Sequence, residues 1–147
     1  MRLQPGLYVI TDRRLSRGRS HVDIVAAALQ GGATTIQLRD KDCSREELIA
    51  TGRQLARLCR DAGAAFIVND DPAVAAEIGA DGVHLGPDDA PPAEARRLLG
   101  PGAVVGYSAK ASAQLAREAA AAGADYVVAG SIYPTGTKAD ATVVGLD

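Results

Sequence analysis

The sequence predicts an α/β fold of the (β/α)8 TIM barrel type, incomplete here with about six βα units. Three observations carry that expectation: one phrase repeats five times, apolar runs alternate with helix-forming segments, and polar residues gather where the runs end. The phrase is a helix-like Ala/Leu/Arg segment, then Gly-Ala, then a short apolar run ending in polar residues. Its copies are 32–39, 63–70, 79–86, 102–108 and 123–131, and a sixth apolar run, 7–12, precedes them.

Each element follows from local chemistry. The run 7–12 is short and rich in β-branched and apolar residues, which suits a strand. Residues 22–30 fit a helix, and the Gly of the first phrase closes it by taking the left-handed conformation. The apolar run after each Gly-Ala suits a strand buried on both faces, as in a parallel sheet. Ser44 followed by Glu47 forms a capping box that opens a helix over 45–62. Asp70 and Asp71 stand before Pro72, and either carboxylate can cap a helix that has Pro in its first turn. Residues 112–122 supply a further helix before the last phrase. Strands alternating with helices through short connections are parallel and joined by right-handed crossovers.

Two closures satisfy this alternation, an open doubly wound sheet or a barrel. Thr11-Asp12-Arg13-Arg14 follows the first run where a dinucleotide-binding sheet carries Gly-x-Gly-x-x-Gly. Polar residues also end many runs rather than one pair: Asp12, Arg39, Asn69-Asp70, Gly86 to Asp89, Ser108 and Ser131. A barrel collects its site from many strand ends in this way, so the barrel is preferred.

The 147 residues are 47% apolar and 23% charged with a net charge of −2, the profile of a single globular domain. Aromatic residues are 3% and Trp is absent, so Ala, Val, Ile and Leu must build the core, and a base-stacking surface is not expected. The 16 basic and 18 acidic residues are interspersed, which argues against nucleic acid as a partner and for a small molecule. No stretch approaches 18 apolar residues and the N-terminus has no cleavage-site pattern, so a cytoplasmic protein without membrane association is expected. Cys43 and Cys59 lack CxxC spacing and are expected to be free thiols.

Within the candidate rim, Gln37, Arg39 and Lys41 alternate along one run and so face one way, offering an amide, a guanidinium and an ammonium to a phosphate or pyrophosphate. The alternative leaves Arg39 and Lys41 as a solvated strand end paired with Asp40 and Asp42. Asn69-Asp70 and Asp88-Asp89 end neighbouring runs, and their carboxylates suit Mg²⁺ shared with substrate phosphates; the alternative for Asp70 is a helix cap. The loop 133–138 carries two hydroxyls, a Gly and a Lys, as a phosphate loop or an exposed turn does. His84 reads as an interior histidine and His21 as a surface residue near a helix start.

Taken together, the stretches 8–13, 37–41, 68–70, 79–89, 106–108, 123–126 and 134–138 resemble the thiamine-phosphate synthase (thiamine-phosphate pyrophosphorylase) family. That resemblance implies a Mg²⁺-dependent transferase of thiamine biosynthesis. It condenses hydroxymethylpyrimidine pyrophosphate with thiazole phosphate, giving thiamine phosphate and pyrophosphate. It implies Arg39, Lys41 and Lys138 as catalytic residues, Asp70 and Asp89 as Mg²⁺ ligands, and Gln37, Leu38, Arg39, Asp40, Lys41, Asn69, Ser108 and Lys138 around the pyrimidine pyrophosphate. Thr135, Gly136 and Thr137 would receive the thiazole phosphate. The partners are then small-molecule substrates, compatible with a homo-oligomer. Pro87 stands where the family usually has Gln, Asp71 where it often has Arg, and Lys110 where His is common. The sequence ends at Asp147, before the family's last two strands, so residues 1–147 are expected to be one barrel domain lacking them. Two other functions fit the same fold: a thiazole tautomerase, and an inactive remnant that binds a phosphorylated ligand.

Overall fold

The computed structural model describes residues 3–134 and 143–145. Six strands alternate with five helices: β1 (Leu7–Ile10), α1 (His21–Gln30), β2 (Ala33–Leu38), α2 (Arg45–Ala62), β3 (Ala65–Asn69), α3 (Pro72–Ile78), β4 (Gly82–Leu85), α4 (Pro92–Leu99), β5 (Val104–Lys110), α5 (Ala113–Ala121) and β6 (Tyr126–Ala129). The strands form one parallel sheet in the order β1-β2-β3-β4-β5-β6. A doubly wound sheet reverses its order at a switch point, and this one never does. The sheet is instead a curled half-barrel, bent far enough that the Tyr8 hydroxyl on β1 lies 2.8 Å from the Tyr126 hydroxyl on β6.

Side chains alternate across the pleat, and the two faces have opposite characters. Ile36, Leu38, Phe66, Val68, Val83, Leu85 and Val105 point outward into one core with Val25, Leu55, Val74 and Ala95 of the helices. Tyr8, Gln37, Ile67, His84, Gly106, Ser108 and Tyr126 occupy the other parity, on the concave side.

Local signals place the helices. Ser44 and Glu47 make the expected capping box at α2, and Ser20 with Asp23 makes a second at α1. The left-handed turn of the Gly-Ala phrase is taken by Gly32, Gly63, Gly79 and Gly123. After α4 the positive φ falls at Gly100 (φ 93°), with an extended ψ of 169°, rather than at Gly102, because the helix already ends at Leu99. In two phrases the residue after Gly-Ala is Asp, and each carboxylate staples the preceding strand: Asp81 accepts from Phe66 N at 2.9 Å and Asp125 from Val105 N at 2.7 Å.

Both cysteines are free, and burial pushes the Cys59 thiol up to about 12, so it packs as a small apolar group. Among the described residues no helix is long and apolar enough to cross a membrane. His21 departs from expectation. It begins α1 but is buried, because its Nε2 lies 2.9 Å from the carboxylate of Asp40.

Candidate active site

The C-terminal strand ends bring polar groups from β1 to β5 to one rim. The arrangement starts at β1, where fully buried Thr11 donates its N–H to Gln37 O at 2.9 Å and accepts from Arg39 N at 3.1 Å through Oγ1. This splint holds the end of β2. Asp12 beside it accepts from Arg39 Nη1 at 2.8 Å, with both side chains about four-fifths buried. Arg39 is therefore held in one direction before any ligand arrives.

Lys41 lies further out and pairs with Asp70 at 3.0 Å. That ion pair is half-exposed and worth little by itself, which leaves the ammonium free to exchange partners. The alternative pairing of Arg39 and Lys41 with Asp40 and Asp42 does not occur. Asp40 is taken by Arg13 (2.7 Å) and His21 (2.9 Å), and Asp42 by Arg14. Burial works against the Asp40 charge, but the His21 hydrogen bond, the Asp42 N–H and Arg13 outweigh it and hold its carboxyl below the ordinary value.

Two residues of this strap depart from the ligand set expected of it. Leu38 has the outward parity and is fully buried in the core under the helices. The Asp40 side chain is 1% exposed and turned to His21. Only the backbone of these two residues can face a ligand.

At the end of β3, Asp71 rather than Asp70 caps α3, accepting from Val74 N at 2.9 Å, with Pro72 in the first turn as expected. Asp70 is left free for the rim. It takes a left-handed backbone (φ 66°), uncommon for a residue with a side chain, while its N–H donates to His84 O at 2.8 Å. Asp71→Ala is expected to cost about 1 kcal/mol of stability, the usual value of a lost cap, as thermal denaturation would measure.

Asp89 follows β4 and accepts from Gly86 N at 2.7 Å. Burial raises its carboxyl above the ordinary value, and the Asp70 carboxylate facing it raises it further, against the pull of the Gly86 N–H and of Lys41. Two hard oxygen donors forced together at the ends of adjacent strands fit a divalent cation. Among the described residues no cluster of three or more His, Cys, Asp or Glu side chains is suited to a metal. Mg²⁺ is commonly held by one or two carboxylates with water and substrate phosphates completing its shell, so the pair suffices.

Asn69 stands at the end of β3 opposite His84 in register. Below it, Gln37 is buried and donates Nε2–H to Tyr8 OH at 2.9 Å, and Ser108 Oγ lies 2.9 Å from His84 Nε2. Thr135, Gly136, Thr137 and Lys138 lie outside the described residues. The structure adds to the neighbourhood Thr11, Asp12, Tyr8, His84 and Tyr126. Thr11 and Asp12 stand at a run end, and Tyr8, His84 and Tyr126 fall in stretches that carry the family resemblance, but their parts here come from contacts between distant strands.

A curled parallel α/β sheet with cations, a carboxylate pair and an amide at its C-terminal rim defines a half-barrel of the α/β class with its candidate site at the strand ends. The family model for thiamine monophosphate synthase matches residues 7–147. The chain is 47% identical over 142 residues to thiamine-phosphate synthase of Moorella thermoacetica, an alignment covering 96% of this chain and 67% of that protein. It is 49% identical over 135 residues to thiamine-phosphate synthase of a Roseiflexus species, covering 92% and 57%. The solved thiamine phosphate pyrophosphorylase of Pyrococcus furiosus superposes with a TM-score of 0.82 at 44% identity, over 94% of this chain and 64% of that one. The chain belongs to the thiamine monophosphate synthase family, and it spans between 57% and 67% of the length of these relatives.

Proposed function

We propose that this chain carries the pyrimidine-pyrophosphate half of a thiamine-phosphate synthase site, and that the protein joins hydroxymethylpyrimidine pyrophosphate to thiazole phosphate in the cytoplasm. The supporting observation is the meeting of Arg39, Lys41, Asp70 and Asp89 at one rim, above buried Gln37 and half-buried Ser108, in a member of this family. The same reading makes the half-barrel the first six units of one (β/α)8 domain. In support, the outer strands expose Leu7, Ile10, Val127 and Val128, an apolar surface that further strands cover in a closed barrel.

The reaction breaks the bond between the pyrimidine methylene and the pyrophosphate oxygen, and the thiazole nitrogen bonds to that methylene. Pyrophosphate leaves with the electron pair, so negative charge grows on its oxygens. Arg39, splinted by Asp12 and Thr11, offers a fixed guanidinium to that charge, and Lys41 exchanges Asp70 for a phosphate oxygen. Asp70 and Asp89 would hold Mg²⁺, which supplies charge neutralisation of the leaving group when bound. Gln37, Asn69 and Ser108 orient the pyrimidine. Lys138 adds a further cation, and Thr135, Gly136 and Thr137 receive the thiazole phosphate. No protein nucleophile is required, because the second substrate supplies the attacking nitrogen.

The test is product analysis on the purified protein with both substrates and Mg²⁺. Thiamine phosphate and pyrophosphate formed in equal amounts are expected. Isomerisation of the thiazole phosphate with no consumption of the pyrimidine, or binding of both substrates without turnover, overturns the assignment. Arg39→Gln is expected to weaken pyrophosphate binding by roughly 10- to 100-fold, the loss of a charged hydrogen-bond donor worth about 1.5–3 kcal/mol, measured by calorimetry.

A further inference from the structure

Five side chains from five strands form one hydrogen-bonded chain across the concave face. Gln37 on β2 donates Nε2–H to Tyr8 OH on β1 at 2.9 Å, and Tyr8 OH lies 2.8 Å from Tyr126 OH on β6. Tyr126 OH lies 3.0 Å from His84 Nδ1 on β4, and His84 Nε2 lies 2.9 Å from Ser108 Oγ on β5. The Tyr126 ring stacks on the His84 ring at 5.6 Å and reaches it over Gly106, where an added Cβ would stand 2.1 Å from Tyr126 Cζ. Burial raises both phenols above their ordinary value, so each keeps a proton to donate.

The chain has a direction. The amide nitrogen donates to the Tyr8 oxygen, and in the direction proposed here the Tyr8 proton goes to Tyr126, either phenol being able to donate. Tyr126 then donates to His84 Nδ1, and His84, protonated on Nε2, donates to Ser108 Oγ. The Ser108 hydroxyl proton is left free at one end of the chain. At the other end, Gln37 keeps Oε1 as an acceptor and its second N–H as a donor.

We propose that Tyr8, Tyr126 and His84 are positioning residues that fix the donors and acceptors Gln37 and Ser108 present, and so make the site select an aminopyrimidine over bare pyrophosphate. The proposal rests on the reading above for the identity of the ligand. An amide held with its acceptor and donor side by side matches an amino group beside a ring nitrogen, and an amide turned over sets donor against donor and acceptor against acceptor. Tyr8 touches Gln37, His84 touches Ser108 and Tyr126 links the two, and none of the three need touch the ligand.

Two measurements on the whole protein test it. Nitrogen-15 NMR of the imidazole is expected to show neutral His84 protonated on Nε2; a ring protonated on Nδ1, alone or on both nitrogens, overturns the direction of the chain. Calorimetry then compares hydroxymethylpyrimidine pyrophosphate with inorganic pyrophosphate. Tyr8→Phe and Tyr126→Phe are each expected to cut the preference for the pyrimidine ligand about tenfold, the scale of one hydrogen bond, with inorganic pyrophosphate affinity changed less than about twofold. Tyr107→Phe, which removes a hydroxyl from a residue on the helix-facing parity, is expected to change neither. A merely structural role would weaken both ligands together, and that result, or an unchanged preference in both variants, overturns the proposal. If the unaltered protein binds pyrophosphate with no preference for the pyrimidine, the selectivity role fails while the pyrophosphate site stands. If it binds neither ligand, the functional reading fails, and the selectivity role with it; the NMR result then judges the direction of the chain alone.

Discussion

Asp70→Asn and Asp89→Asn are each expected to abolish the strengthening of pyrophosphate binding by Mg²⁺ and to lower turnover about a hundredfold or more, the scale of losing several kcal/mol of charge stabilisation. Without Mg²⁺ the sign reverses. Each substitution removes a carboxylate from a rim that faces an anion, and Asp70→Asn also frees Lys41 from its 3.0 Å partner. Pyrophosphate affinity in chelator is therefore expected to rise, by up to about tenfold. A general loss of folding lowers affinity in both conditions, so the crossover is specific to a cation held between the two carboxylates. Persistence of the full Mg²⁺ effect in both variants would assign the cation elsewhere. Titrations of each variant with pyrophosphate, with and without Mg²⁺, give all four numbers.

The second large effect is on stability. Gly82→Ala places a methyl group 2.0 Å from the carbonyl oxygen of Val104 and 2.7 Å from its carbonyl carbon. These are backbone atoms of the paired strand, which cannot rotate aside as a side-chain tip does, so β4 and β5 must separate at their first pairing. The same point is a junction of three strands: Asp81 N donates to Phe66 O at 2.8 Å, Asp81 O accepts from Val104 N at 2.8 Å, and the Asp81 carboxylate holds Phe66 N. A loss of about 3 kcal/mol is expected, near the upper end of overpacking costs, with a fall of roughly 10 °C in Tm. Gly102→Ala, whose added Cβ meets nothing within 4 Å, is expected to stay within about 0.5 kcal/mol of the unaltered protein. Equal Tm values for the two variants would contradict the close approach of β4 and β5.

The helices and strands were legible because their signals are local. A capping box spans four residues, and the Gly-Ala phrase marks a helix end and a strand start within three. That the sheet is not doubly wound was also legible, in the spread of polar residues over many run ends, and the strictly sequential strand order of the curled half-barrel agrees with it. Finer assignments stayed open or slipped where one residue type serves two neighbouring positions. Gly100, not Gly102, closes α4, and of the two carboxylates left open as caps of α3 it is Asp71 that caps it; each pair lies within two residues, so composition cannot separate the candidates.

The site divides along the same line. Gln37, Arg39, Lys41, Asn69-Asp70, Asp88-Asp89 and Ser108 stand out as polar run ends, since a parallel sheet sends every run end to one rim, and the choice among them followed from the resemblance to the family. Alternation sends the Leu38 side chain under the helices and leaves only its backbone for a ligand. Asp12 as the partner of Arg39, Asp40 as the partner of buried His21, and the path from Tyr8 to His84 could not be read. Their partners lie 19 to 118 residues apart in the chain. The sequence by itself determined the order of elements and which residue types stand at the rim, because periodicity and caps act within a few residues. The tertiary structure alone decided which of those residues hold one another, because the curl of the sheet sets which strand ends meet.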